Sequence, residues 1–203
     1  MQKAGKAFAH PGFKLNLLVC TKLHSATIDI VLQIKSIGFA AGTCEQARLF
    51  ETVNNELADI LGNFINRALV LTQKYYEGKV PACGELTAED EQVLADMKAI
   101  PQRIADLVYQ YKLRDAQAEA MMLARIGNKY LADNEPWKLV KTDPKRVETI
   151  MNIALQITAN LGLVLDPFLP ETAAKIRNFV GTQPQAWDKA GEILLQAGDQ
   201  TNA

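Results

Sequence analysis

The chain has few of the residues from which catalytic and metal sites are usually built. Its 203 residues include two histidines, His10 and His24, and three scattered cysteines, Cys20, Cys44 and Cys83, with no CxxC pair. Histidines, cysteines and acidic residues do not recur at metal-ligand spacing, and no glycine loop ending in Gly-Lys-Ser or Gly-Lys-Thr is present. The sequence therefore predicts no catalytic residue and no metal site in this chain.

A strong charge of one sign and long apolar runs are also missing. Lysine and arginine number 22 against 23 acidic residues, a net charge of −1, so no overall positive field indicates nucleic acid. No apolar run reaches the eighteen residues typical of a transmembrane helix. An odd, scattered set of cysteines is typical of a reducing compartment, and we expect a cytoplasmic protein.

Residues 1–47 lack a clear structural period. Their apolar residues occur in runs such as LNLLVC and IDIVLQI without helical spacing, and no Asn-Gly type of turn pairs the β-branched stretch into a hairpin. We leave this segment structurally unassigned.

Beyond that segment the pattern predicts an all-α bundle of about five helices. The first helix ends near Gly78, and its apolar residues recur every three or four positions: Leu57, Ile60, Leu61, Phe64, Ile65, Ala68, Leu71 and Tyr75. The second is predicted over 88–112. It begins at a capping box formed by Thr87 and Asp90, with a bend or restart at Pro101.

Three more helices complete the predicted bundle. The third, over 114–133, has a stripe rich in small residues, which lets a neighbouring helix approach closely. The fourth starts at Asp143 and Pro144, a capping acid followed by proline, and is so apolar that we expect it to be the most buried. The fifth is predicted over 171–180, and a short last helix over 185–196.

Trp137 lies in an unusual setting, at the end of the stretch GNKYLADNEPWKL. Pro136 ends the third helix, and Glu135 before it is expected to be extended. An indole at such a corner is a stacking surface for an unpaired base, although packing in the core is the ordinary role of tryptophan and stays open here. Trp187, within AWDKAG, is interpreted as packing.

Asn63 and Arg67 are four residues apart and therefore share one face of the first helix. An amide and a guanidinium fork can together read the edge of a base. The same pair can also cap, bridge or solvate a helix. From Lys98 to Arg146 there are ten basic and six acidic residues, an excess that fits a phosphate-binding face or a solvated helix surface.

Three stretches of the bundle resemble the anticodon-binding domain of methionyl-tRNA synthetases: NNELADILGNFINRALVLTQKYYEGKVP, RDAQAEAMMLARIGNKYLADNEPWKL and LGLVLDPFLPETAAKIRNFV. The resemblance covers about residues 48–198. It is carried by Asn-x-x-x-Arg on the first helix and Asn-Glu-Pro-Trp after the third. It implies a helix bundle of the class I synthetase anticodon-binding type over 48–181, followed by a short C-terminal extension over 182–203.

The resemblance also implies a function. Members of this family are ATP-dependent methionine–tRNA ligases of protein biosynthesis, and their bundle holds the anticodon loop of tRNA(Met). The bases of the CAU anticodon are splayed out and read singly, as is general for single-stranded RNA. The corner tryptophan corresponds to Trp137, which stacks on a base, and the helix pair corresponds to Asn63 and Arg67, which contact bases.

The family's catalytic motifs, HIGH and KMSKS, and its zinc-binding cysteines do not occur in this sequence. We therefore expect a C-terminal fragment that is inactive alone, that has no cofactor of its own and that lacks the catalytic domain, where the parent enzyme uses ATP with Mg. Our hypothesis for residues 1–47 is a foreign or out-of-frame translation. The alternative function is a free-standing helical protein-interaction module anchored by Trp137.

Overall fold

The computed structural model describes residues 59–202, and this part of the chain is a helix bundle. Its helices are α1 (Asn63–Tyr76), α2 (Ala88–Tyr109), α3 (Leu113–Asn134), the four-residue α4 (Pro136–Leu139), α5 (Pro144–Val164) and α6 (Pro170–Val180). The all-α prediction is confirmed. The predictions for residues 1–47, and for the part of the first helix before residue 59, lie outside the described residues.

Helix α5 is the centre of the bundle and contacts α1, α2, α3, α4 and α6. Every residue from 149 to 165 is buried, which confirms that the most apolar helix is the most buried one. Within residues 59–202, α5 is also the one helix long and apolar enough to cross a membrane by length and composition. Its most apolar window is 94% buried inside the protein, as expected for a core helix.

Helices α1 and α3 approach each other closely, as the small residues of α3 predict. A Cβ atom added to Gly127 would lie 2.5 Å from two ring carbons of Phe64, so any larger residue there would force the ring to move. One residue further along, Asn128 Nδ2 donates to the Ile60 carbonyl across 2.7 Å. These two contacts fix the beginning of α1 against the second half of α3.

The start of α2 follows its predicted signal. The side chain of Thr87 accepts from the Asp90 N–H, and the Asp90 carboxylate accepts from the Thr87 N–H, which completes the capping box. The helix continues through the buried Pro101 and ends at Tyr109, three residues before the predicted end. Its chain then reverses through Tyr111, which has a left-handed φ of 59°.

After α6 the chain is mostly irregular, and the last predicted helix over 185–196 is wrong. Only a 3-10 turn forms there, at Trp187–Lys189. Trp187 packs against the core, as predicted. The segment then returns to the connection between α1 and α2, where Val80 donates to the Asp199 carbonyl and accepts from the Gly198 N–H.

Three amide side chains on α5, spaced four residues apart, hold irregular backbone against the bundle. Asn152 Nδ2 donates to the Pro81 carbonyl, and Gln156 donates to the Leu195 carbonyl and accepts from its N–H. Asn160 accepts from a further backbone N–H, and all three amides are buried. Backbone N–H groups paired in this way cannot form a helix ladder, which explains why the predicted last helix does not form.

Candidate nucleic-acid interface

The corner that carries Trp137 is built around Glu135. This residue has φ 40° and ψ 58°, a left-handed conformation, so the expectation that proline would force it into an extended geometry is wrong. The left-handed residue closes α3, because its N–H donates to the Leu131 carbonyl across 3.1 Å. Its own carbonyl accepts from Lys138 across 2.8 Å, which starts α4 at once. The two helices are therefore joined by one residue.

Trp137 lies at the surface of this corner, with 38% of its residue surface exposed. The neighbouring residues anchor α4 on the bundle, since Pro136 is buried and Leu139 packs against the core. Lys138 spans the corner to the Glu135 carboxylate at 2.7 Å. The indole is thus part of a short, anchored helix and is accessible from solvent, which argues against a purely internal packing role.

Asn63 and Arg67 are both exposed and lie one turn apart near the start of α1. No hydrogen bond or ion pair joins either side chain to Trp137 within residues 59–202. The α1 pair and the indole are connected instead through the contact between α1 and α3. In that contact the Asn128 side chain donates to the backbone carbonyl three residues before Asn63. The structure therefore presents an amide and a guanidinium on α1, and an indole on α4, the short helix that follows the end of α3.

A buried carboxylate lies behind the corner and organises a group of polar side chains. Asp90 is fully buried and accepts from Tyr130 Oη across 2.6 Å, as well as from Arg146. The other terminal nitrogen of Arg146 contacts Asp90 Oδ1 at 2.9 Å and Asn134 Oδ1 at 3.0 Å. We call these four residues the Asp90 cluster; they link α2, α3 and α5.

Asp90 and Arg146 are held in their charged forms, and Tyr130 in its neutral form. Burial alone would raise the pKa of Asp90, but hydrogen bonds from Arg146, from the Thr87 N–H and from Tyr130 outweigh burial and lower the pKa to about 2. The hydrogen bond to Asp90 raises the pKa of Arg146. Burial, followed by the hydrogen bond to the carboxylate, raises the pKa of Tyr130. A carboxylate, a guanidinium and a neutral phenol therefore persist over the whole neutral range.

Positively charged residues follow the indole in the sequence. Lys141 and Lys145 are exposed and follow Trp137 within eight residues, on the turn between α4 and α5 and at the start of α5. Among the described residues neither forms an ion pair, whereas Lys138 is paired with Glu135. Exposed cations of this kind can contact the backbone phosphates of a single strand.

Residues 59–202 contain no group of three or more His, Cys, Asp or Glu side chains that could hold a metal ion. Cys83, the one cysteine that the structure describes, is free and exposed.

Sequence reasoning missed Asn128, Asn134 and Arg146. Asp90 was recognised as a capping residue, but nothing near it in sequence pointed to Arg146, which is 56 residues away. For Asn134 a weak signal existed, because it stands next to the unusual Glu-Pro-Trp corner.

Comparison with known proteins decides the family. The family model described as "Anticodon binding domain of methionyl tRNA ligase" matches residues 80–202. The chain belongs to this family. The anticodon-binding domain assignment thus covers α2 to α6 and the C-terminal segment, including Trp137 and the Asp90 cluster.

Two relatives of this anticodon-binding domain are methionine–tRNA ligases of bacteria. The chain is 59% identical over 148 residues to the methionine–tRNA ligase of Parabacteroides distasonis, a match that covers 72% of this chain and 22% of that protein. It is 56% identical over 153 residues to the corresponding ligase of Phocaeicola vulgatus, covering 73% of this chain and 22% of the ligase. The chain therefore spans about a fifth of the length of the curated relatives that it matches.

Solved structures give the same fold. The domain is similar to the apo form of Mycobacterium tuberculosis methionyl-tRNA synthetase with a TM-score of 0.70 and 26% identity, covering 75% of this chain and 32% of that one. The form of that enzyme in complex with methionyl-adenylate gives a TM-score of 0.71 at 24% identity, covering 77% and 32%.

Proposed function

We propose that this chain is the anticodon-reading part of a methionine–tRNA ligase and that it binds the anticodon loop of tRNA(Met), with the sequence CAU. The single observation that carries the proposal is the exposed indole of Trp137 on an anchored corner, within a chain that belongs to the anticodon-binding family. In this proposal Trp137 stacks on an unpaired base.

Asn63 and Arg67 supply the reading contacts. Both side chains are exposed on one face of α1, where an amide can donate and accept at a base edge and a guanidinium can donate in a fork. Lys141 and Lys145 supply charge for the phosphates of the loop.

The ligation reaction itself belongs to the longer protein. The relatives are about five times as long as the matched part, and we assign the use of ATP with Mg, and the activation of methionine, to the region that they contain and this chain does not. The parent enzyme would act in the cytoplasm, in translation. The residues of this chain contribute recognition of the tRNA and no catalytic group.

Binding of short RNA hairpins tests the proposal. The full chain is titrated with a hairpin that presents CAU, and with three hairpins in which one anticodon base is changed. Trp137→Ala is expected to weaken binding to the CAU hairpin by about 5- to 150-fold, which corresponds to the roughly 1–3 kcal/mol of one stacked base. Trp187→Phe, at the tryptophan that packs against the core, is the matched control and should leave the affinity unchanged.

Two further sets of variants separate recognition of the bases from electrostatic attraction to the phosphates. Asn63→Ala and Arg67→Ala should reduce the preference for CAU over the changed hairpins. Lys141→Gln combined with Lys145→Gln should weaken all hairpins alike and make the salt dependence shallower, by about 0.7 in slope for each lost phosphate contact. Equal affinity for all hairpins, unaffected by Trp137→Ala, would contradict the proposal and favour a protein-binding module.

A further inference from the structure

One residue, Arg146, holds both ends of the segment that carries Trp137. On the N-terminal side its Nη2 donates to Asn134 Oδ1 across 3.0 Å, and Asn134 is the last residue of α3. On the C-terminal side its backbone N–H donates to Asp143 Oδ1 across 3.1 Å, and Asp143 is the N-cap of α5. The turn with the indole lies between these two contacts.

The guanidinium that forms this link is itself fixed in direction. Its two terminal nitrogens contact both carboxylate oxygens of Asp90. The side chain of Asp90 has no exposed surface, and that of Arg146 is 17% exposed. A planar guanidinium held by two nitrogens on one carboxylate has little freedom to rotate. Besides Asp90, Nη2 contacts Asn134 Oδ1 at 3.0 Å and Thr87 Oγ1 at 3.5 Å, so the bond to Asn134 leaves the guanidinium in a fixed direction.

Asn134 passes this constraint to the corner. Its amide accepts from Arg146, while its nitrogen donates to the Tyr130 carbonyl across 3.1 Å. Only Glu135 and Pro136 separate Asn134 from Trp137, and proline has a nearly fixed φ. If the last turn of α3 rotated, the indole would therefore rotate with it.

We propose that Arg146 is a positioning residue for RNA recognition: it holds segment 134–146 against Asp90 and so keeps the Trp137 indole in the orientation on which a base stacks. Arg146 acts through Trp137 and needs no contact with RNA. The inference rests on the proposed function for its consequence in binding, but the orientation of the indole can be measured without RNA.

Arg177 provides a matched control. Its Nη1 donates to the Gly162 carbonyl across 2.6 Å and to Asp166 Oδ1 across 2.7 Å, and its side chain is 14% exposed, close to the 17% of Arg146. It ties α6 to the far end of α5, away from the start of α5 where Arg146 lies. Arg177→Gln therefore removes a guanidinium of similar burial, paired with a half-exposed carboxylate, at a site away from the corner.

The test uses the full 203-residue chain with Trp187→Phe as background, so that Trp137 is the only tryptophan. Acrylamide quenching and the decay of fluorescence anisotropy report on the indole in the free protein. Arg146→Gln is expected to raise the quenching rate and to add a fast local component to the anisotropy decay, whereas Arg177→Gln leaves both unchanged. Affinity for the CAU hairpin should fall by about fivefold, the equivalent of about 1 kcal/mol of stacking.

Asn134→Ala is the second variant and leaves the pair of Asp90 and Arg146 in place. It should mobilise the indole as Arg146→Gln does, with a smaller loss of stability. Arg146→Lys keeps a positive charge beside Asp90 but lacks the fork, so it should preserve much of the stability and still mobilise the indole. Unchanged quenching in both Arg146→Gln and Asn134→Ala, or an equal rise in Arg177→Gln, would overturn the inference.

The two proposals fail in different ways. If the background protein shows no preference for the CAU hairpin, the proposed function fails, and the quenching measurements still decide whether Arg146 positions the indole. If the preference is present but Arg146→Gln changes neither quenching nor affinity, the positioning role fails alone.

Discussion

The hydroxyl of Tyr130 donates a 2.6 Å hydrogen bond to the buried carboxylate of Asp90, forty residues earlier in the chain. The bond joins the last turns of α3 to the capping box of α2. The same carboxylate pairs with Arg146 at the start of α5. A single buried charge therefore sets the relative position of three helix ends, and the corner with Trp137 extends from one of them.

Replacement of Tyr130 by phenylalanine should destabilise the protein by about 1.5–3 kcal/mol, since a hydrogen bond to a charged group is lost while the ring still fills its site. Urea unfolding followed by circular dichroism measures the change. Tyr109→Phe, at a residue that is 83% exposed, is the control and should leave the unfolding midpoint unchanged. Equal midpoints for Tyr130→Phe and the parent protein would show that the buried bond contributes nothing.

Acid should lower the free energy of unfolding, because the carboxylate of Asp90 becomes protonated. Its pKa is about 2 in the folded protein, below the ordinary value of 3.8, so the carboxylate stabilises the fold fully above the unfolded pKa. That contribution, of the order of 2 kcal/mol, is lost as the pH falls from about 4 through about 2. The difference in unfolding free energy between the parent and Asp90→Asn should therefore shrink from pH 5 to pH 2. A constant difference over this range would contradict the assignment.

Gly127→Ala should destabilise the contact between α1 and α3. The added carbon would lie 2.5 Å from the ring of Phe64, and such overpacking costs about 1–3 kcal/mol, more than the gain of up to about 1 kcal/mol in helix propensity. In a Phe64→Leu background the same change should cost less, because the obstructing ring is absent. Thermal unfolding of the four proteins in this cycle measures the coupling; purely additive effects would argue against the close contact.

Local signals in the sequence predicted the helices well. The capping box at Thr87 and the Asp143-Pro144 start were found where expected, because each depends on residues within one turn. The stripe of small residues on α3 likewise predicted the close approach of α1. These rules concern neighbours in sequence, and the structure confirms them.

Two predictions were wrong: an extended Glu135 and a last helix over 185–196. Glu135 takes the left-handed conformation that closes one helix and opens the next, and this pairing of hydrogen bonds prevailed over the extended preference of a residue before proline. The last helix did not form because Gln156, 39 residues from Leu195, takes the N–H that a helix would need. The contact between Gln156 and Leu195 lies outside any local window, whereas the hydrogen bonds of Glu135 are local and compete directly with the effect of the proline.

For the candidate site, the sequence predicted the exposed pair on α1, but not what supports the indole. The roles of Asn63, Arg67 and Trp137 remain predictions that binding must test. The link from Asp90 through Arg146 to Asn134 could not be predicted, since it depends on three helix ends meeting in space. The sequence did contain a readable signal elsewhere: amides at positions 152, 156 and 160 recur at helical spacing within an otherwise apolar helix.

This row of amides determines how the segment after α6 aligns with α5. Gln156 pairs with both backbone groups of Leu195, and Asn160 pairs with the Gly191 N–H and the Glu192 carbonyl. A slip of the chain by a single residue would leave donors and acceptors facing one another unmatched inside an apolar interior, where such a mismatch is costly. Helix α5 thus fixes the alignment of the segment after α6, which has almost no secondary structure of its own.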